Sequence, residues 1–213
     1  MVRCPSCAAP SGTGLVCERC GRPLGEELDC FAALGLEPRL ALDGAALESR
    51  YHELGRRIHP DRFATDDAAV RAASLRAMAL LTRSYRTLRD PISRGLYWLE
   101  LRGEKLAEDN KTVPPELAEM VFEIQEQLAE LGASPAGNDR DRLRGEIEGR
   151  RAEVRSRFDR AHRELEGNFV RWDRNAGGQD ELTAGLKQAL SKIAYLRTLL
   201  RDMDRALAAA AEN

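Results

Sequence analysis

Apolar residues recur along most of this chain at helical spacing. Leu47, Tyr51, Leu54 and Ile58 fall at i, i+4, i+7 and i+11, one face of a helix, with Asp43 placed to cap its start. The short apolar run "DCFAALGL" ahead of it reads as a smaller helix, opened by Asp29 and ended near Gly35. Pro60 forces Ile58 and His59 out of helical geometry, so the long helix stops at the tripeptide His-Pro-Asp. A second long helix is predicted over roughly 66–89, carrying Val70, Leu75, Met78, Leu81, Tyr85 and Leu88 on its apolar face. "RDP" at 89–91 breaks it, and "ISRGLYWLEL" continues as a shorter helix. Two helices of similar length joined by a short loop form a helical hairpin.

The stretch 102–115, "RGEKLAEDNKTVPP", is polar, holds two prolines and reads as a linker. Three more apolar stripes follow. The first is Leu117, Val121, Ile124, Leu128 and Leu131; the second is Leu143, Ile147, Val154, Phe158, Leu165, Phe169 and Trp172. The third is Leu186, Ala189, Ile193, Leu196, Leu200, Met203 and Leu207. "GASPAGND" and "NAGGQD" turn the chain between them, which predicts an antiparallel three-helix bundle. Nothing outside the first 27 residues reads as a strand, and there are no repeats. The expected fold is all-α: a cysteine-bearing segment at 1–27, a helical hairpin domain at 28–101, a linker at 102–115 and a bundle at 116–213.

Composition supports this reading, with 43% hydrophobic and 32% charged residues and few aromatics. A net charge of −2 disfavours a chain built to hold nucleic acid. No apolar run approaches the ~20 residues a membrane span needs. The N-terminus "MVRCPSCAAP" has neither an apolar signal core nor a long Arg/Ser-rich amphipathic stretch. The expected location is cytoplasmic, or the mitochondrial matrix if a targeting segment has been removed.

The five cysteines, at 4, 7, 17, 20 and 30, change the picture more. An odd count without a secretion signal disfavours a disulfide framework. Cys4/Cys7 and Cys17/Cys20 are two C-x-x-C pairs with nine residues between them. Four thiolates at this spacing suit one tetrahedral zinc ion, with bonds of ~2.3 Å. The absence of a histidine or carboxylate ligand nearby makes the site structural rather than catalytic. Iron is the minor alternative, because thiolates alone do not select the metal. Cys30 stands apart and reads as a small buried hydrophobe.

As an enzyme site, His59-Pro60-Asp61 is poor: no nucleophile or second acid accompanies it. The helix before it carries Arg50, Arg56 and Arg57. At ~100° per residue Arg50 and Arg57 share one flank of the apolar stripe, and Arg56 lies on the far side. A basic flank ending in this tripeptide is either a solvated face or a docking surface for an acidic partner. Here the residues reach a resemblance. "LESRYHELGRRIHPDRF", with "DCFAALGL" before it, resembles a J domain, the co-chaperone module of the DnaJ family. The resemblance implies no enzyme activity. It implies that His59, Pro60, Asp61 and Arg50, with Arg56, Arg57 and Arg62, bind a DnaK-type chaperone and stimulate its ATPase.

"SYRTLRDPISRGLYWLELRG" at 84–103 is similar to the segment that closes the J domain of HscB-type co-chaperones. The three-helix region resembles their C-terminal domain, so the resemblance covers about 28–210; the tetracysteine segment also occurs in some members. This implies iron–sulfur cluster biogenesis, with an IscU-type scaffold brought to an HscA-type chaperone. On the first bundle helix Phe122 lies off the apolar stripe and should be exposed, with Glu119, Glu123, Glu126 and Glu130 on the same outer side. Tyr195 is also off its stripe. From the residues alone this is either a contact anchor or an acidic solvated face with a stray phenylalanine. The resemblance assigns scaffold binding to Phe122, Glu123, Glu126, Glu130 and Tyr195, although "LAEMVF" replaces a more hydrophobic family stretch. Two other readings stay open: a general J-domain adaptor for another client, and a zinc-dependent nucleic-acid binder, which the charge disfavours. Self-association as a homodimer, aided by the cysteine segment, is a further expectation.

Overall fold

A computed structural model describes residues 4, 6–10, 14–24, 28–106, 113–174 and 179–212. Among them the protein is all-helical, with seven α-helices and two short 310 turns; a β-bridge joins Val16 to Pro23 in the cysteine segment. The chain divides into two compact units, Met1–Trp98 and Leu99–Asn213.

In the first unit each helix starts on an aspartate. Asp29 accepts from the Phe31 and Ala32 amides to open α1 (Cys30–Leu34), and Gly35 closes it at φ +66°. Asp43 accepts from Ala46 N–H at the start of α2 (Gly44–Ile58). Asp67 accepts from Val70 N–H at the start of α3 (Ala68–Arg89), and Asp90 accepts from Ser93 N–H at the start of α4 (Pro91–Leu101). A carboxylate in this position satisfies amides that have no intrahelical partner. Pro91 has no N–H to lose at the first helical position, so "RDP" ends one helix and begins the next.

α2 and α3 form the hairpin, and α1 packs on both. Tyr51 of α2 stacks on Tyr85 of α3, centroids 4.4 Å apart. Phe31 of α1 meets Trp98 of α4 edge to face at 6.4 Å, and Cys30 is buried as expected. One expectation fails here. Leu75 is 60% exposed, and the buried face of α3 runs instead through Val70, Ala73, Ser74, Ala77, Leu81, Ser84, Tyr85 and Leu88. Small residues line the seam because they let the helix backbones approach, and their weak apolar signal hid them from the periodicity.

In the second unit α5 (Ala118–Ala133), α6 (Asn138–Arg174) and α7 (Gln179–Glu212) pack pairwise as a three-helix bundle. A 310 turn, Pro115–Leu117, leads into α5. Ile124, Ile147, Val154, Leu165, Phe169, Leu186, Ile193, Leu196 and Met203 are at most 1% exposed. Leu128, Phe158, Ala189 and Leu207, expected in the stripes, are only half-buried, whereas Leu190 and Leu199 are fully covered. α7 touches both other helices, so its buried face is wider than one heptad seam. Of the linker at 102–115, residues 107–112 lie outside the described residues, as do 175–178 between α6 and α7. Acids near the linker's start and just past its end pair with α7: Lys187 donates to Glu104 at 2.6 Å, and Lys192 pairs with Glu116 at 3.5 Å. No described helix is long and apolar enough to cross a membrane.

Candidate functional site

Pro60 sets the geometry at the tip of the hairpin. α2 ends at Ile58, His59 turns extended (ψ 132°), and Pro60–Phe63 makes a single 310 turn. Phe63 is buried beneath it. Ser74 of α3, fully buried, donates to the Ile58 carbonyl at 2.7 Å and fixes the end of α2. His59 and Asp61 then project outward, with side chains 52% and 90% exposed. The Asp61 amide donates to His59 Nδ1 at 3.3 Å, and an Asp61 carboxylate oxygen lies 3.4 Å from the same atom. An Nδ1 that accepts carries no proton, so the amide bond and an ion pair exclude each other there. The Asp61 N–H bond to Nδ1 caps the turn.

The arginines expected around this tripeptide divide into two groups. Arg50 donates through Nε to the Leu34 carbonyl at 3.1 Å and through Nη1 to Glu53 at 2.9 Å, which stitches α2 to the end of α1. Glu53 also lies 4.0 Å from Arg57, so Arg50 and Arg57 share a flank through one acid. Arg56 and Arg62 are exposed and border a groove with Tyr51, His52, Met78 and His59. Arg62 donates to the Arg56 carbonyl at 3.4 Å. On the other side of Met78 a second groove follows α3, lined by Pro60, Leu75, Ala79, Arg83 and Arg86. The sequence placed Met78 in a core stripe and gave no sign that it separates two surface grooves.

The four N-terminal cysteines converge. Their sulfurs all lie within 4.8 Å of one another, Cys4–Cys20 at 3.6 Å and Cys7–Cys17 at 3.7 Å. These spacings are too long for a disulfide, ~2.05 Å. They match the ~3.8 Å edge of a tetrahedron with ~2.3 Å metal–sulfur bonds. Gly21, at φ +72°, makes the tight turn behind the second pair, and its N–H donates to the Cys17 carbonyl. Burial works against ionising Cys4, but the Ser6 and Cys7 amides and the neighbouring thiols outweigh it and bring it down to about 7. At Cys20 the Arg22 amide favours the thiolate, yet burial and the other three sulfurs push it up to about 12. One thiolate is easy here and four are not, so full deprotonation calls for a cation. The donor set therefore fits a tetrahedral metal ion.

On the bundle, Phe122 is 65% exposed, and Glu126 and Glu130 are exposed on the same helix. Glu123 instead accepts from Arg150 of α6 at 2.8 Å. Tyr195 is half-buried; burial, then the nearby Asp202 carboxylate, raises its hydroxyl pKa. Its position off the stripe had suggested more exposure, but α7 packs against two helices and covers part of that face.

No protein-family model matches the chain. Among curated proteins, an HscB co-chaperone homolog of Ralstonia nicotianae is 31% identical over 178 residues, 83% of this chain and 93% of the relative. The homolog of Cupriavidus taiwanensis is 34% identical over 155 residues, 70% of this chain and 88% of its own length. The chain belongs to the HscB co-chaperone family. Solved HscB structures share the fold. Human HscB superposes with a TM-score of 0.69 over 95% of this chain and 97% of its own, at 24% identity. The Vibrio cholerae HscB chaperone gives 0.57 over 84% and 96%, also at 24%. In HscB terms the first unit carries the J-domain hairpin, and the tetracysteine cluster precedes it.

Proposed function

We propose that this HscB-family chain acts in iron–sulfur cluster biogenesis by binding two partners at once. Its J domain, 28–101, docks on a DnaK/HscA-type chaperone and stimulates ATP hydrolysis there. Its bundle, 116–213, holds an IscU-type scaffold, and 102–115 links the two. The chain itself is not an enzyme; the hydrolysed bond is in the partner's ATP. The observation that carries this reading is the outward presentation of His59 and Asp61 on a turn anchored by Phe63 and Ser74. Arg56, Arg57 and Arg62 add exposed positive charge for an acidic surface. Phe122, with Glu126 and Glu130, is an exposed aromatic among acids of the kind that anchors a contact, and Glu123 and Tyr195 complete the proposed surface. The four cysteines hold one structural zinc ion.

The test is an ATPase assay with an HscA-type chaperone, with and without scaffold. Wild type should stimulate, and more strongly with scaffold present. His59→Gln should lose stimulation while keeping its helical content and its scaffold affinity. Unchanged stimulation by His59→Gln would defeat the docking role of the turn. Phe122→Ala should lose scaffold binding and keep scaffold-independent stimulation. Capture of a different client by wild type, lost in Phe122→Ala, would make the chain a general J-domain adaptor instead.

A further inference from the structure

Arg22 lies on the loop that follows the second cysteine pair, and both its peptide groups are tied to metal-ligand residues. Its carbonyl accepts from Cys17 N–H at 2.9 Å, and its own N–H is directed at the Cys20 sulfur. The Val16–Pro23 bridge and the Leu24 N–H bond to the Leu15 carbonyl close this loop around it. Leu15, Val16 and Leu24 are buried, so the loop is a packed element rather than a free tail. The Arg22 side chain then reaches across 44 residues to Asp66 and donates from Nη2 to Oδ1 at 2.6 Å.

Asp66 stands at the exit of the His-Pro-Asp turn. Its N–H donates to the Phe63 carbonyl at 3.1 Å, and its carbonyl accepts from Arg71 of α3 at 2.6 Å. Within the turn itself, Phe63 is buried, Asp61 N–H donates to His59 Nδ1 and Arg62 Nη1 donates to the Arg56 carbonyl; its backbone bonds are few. Arg62 N–H donates to the His59 carbonyl at 3.0 Å, and Ala64 N–H to the Asp61 carbonyl at a long 3.5 Å. A single 310 turn of this kind opens readily unless its ends are fixed. Ser74 fixes the entrance through Ile58, and Arg22 is placed to fix the exit.

We propose that Arg22 is a positioning residue for the His-Pro-Asp turn, through which metal binding at the four cysteines stiffens the surface offered to the chaperone. The part that concerns the chaperone rests on the function proposed above; the coupling between metal site and turn does not. Loading the four cysteines orders the loop that presents the guanidinium, and the Arg22–Asp66 pair carries that order to the turn. Arg22 itself does not touch the chaperone. Without metal, the loop relaxes and the turn samples open geometries, so docking weakens in affinity rather than in maximal effect.

Hydrogen exchange on the full chain tests this, read at the amides of Arg62, Ala64 and Asp66. In the zinc-loaded protein Arg22→Gln should exchange roughly two- to fivefold faster there, the scale of one partly exposed ion pair. Asp66→Asn, which leaves the cysteine loop untouched, should do the same, and the double variant should be no faster than either. Arg22→Lys should recover much of the protection. Stripping zinc from wild type should produce a rise no larger than this, and stripping it from Arg22→Gln should add nothing. With the chaperone, Arg22→Gln and Asp66→Asn should raise the half-saturating concentration two- to fivefold and leave maximal stimulation in place. Wild-type exchange rates in zinc-loaded Asp66→Asn would overturn the proposal. So would equal acceleration on zinc removal with and without Arg22. A wild-type chain that stimulates no DnaK-type ATPase would sink the functional reading, and the exchange rates would still decide the positioning role.

Discussion

Arg50 shows how one side chain can serve the fold at a place where charge alone suggested a partner. A Cβ at Gly35 would lie 2.8 Å from Arg50 Nη2, and Gly35 itself sits at φ +66°. Gly35→Ala should therefore lower stability by about 1–2 kcal/mol from the backbone alone, more if the guanidinium is displaced. Urea unfolding measures it. Arg50→Lys keeps the charge but loses the Nε bond to the Leu34 carbonyl, so it should lower stability by about 1 kcal/mol. Ser74 has a parallel role. The Ile58 carbonyl is at the end of α2, without an intrahelical partner, and Ser74→Ala would leave it buried and unpaired. The expected loss is about 1–3 kcal/mol with an unchanged denaturant slope. A shifted slope would mean that the substitution alters the denatured state instead.

Among the helices, α5 carries two faces with opposite consequences. Ile124 is 0% exposed and Phe122 is 65% exposed, two positions apart. Ile124→Ala should destabilise the bundle by about 2–5 kcal/mol. Phe122→Ala should stay within about 0.5 kcal/mol of wild type and act on binding alone. A large stability loss in Phe122→Ala would make that ring a packing residue and remove it from the proposed scaffold surface. The same contrast explains α3. Its seam is built from Ala73, Ser74 and Ala77, which have little hydrophobic weight, while the strongly apolar Leu75 faces outward beside a groove. Periodicity weighs side chains by their apolarity and misplaces a stripe made of small ones.

Across the whole molecule, the metal site should separate from the helices under acid. Each sulfur must lose its proton to bind, so protons compete with the ion. Without a cation Cys20 holds its proton up to about 12. Metal loading is therefore favoured as pH rises, and release is expected as pH falls. A dye assay for released zinc reads this directly. Far-UV circular dichroism should change little, because the cysteine segment contributes no described helix. Coincident loss of both signals would make the site a condition for the helical fold.

The sequence alone determined what short spacing encodes. Capping aspartates lie two or three residues from the amides whose hydrogen bonds they accept, Pro60 acts on its immediate neighbours, and each C-x-x-C pair is a local chelate. Helix order, the turn and the ligand set were legible for that reason. Only the tertiary structure decided which charges are free. Arg50 meets a carbonyl 16 residues away, Glu123 meets Arg150 across 27, and Arg22 meets Asp66 across 44. Tyr195 is half-covered because its helix packs against two others. Such pairings depend on how helices fold back on one another, and no local pattern of residues carries that distance.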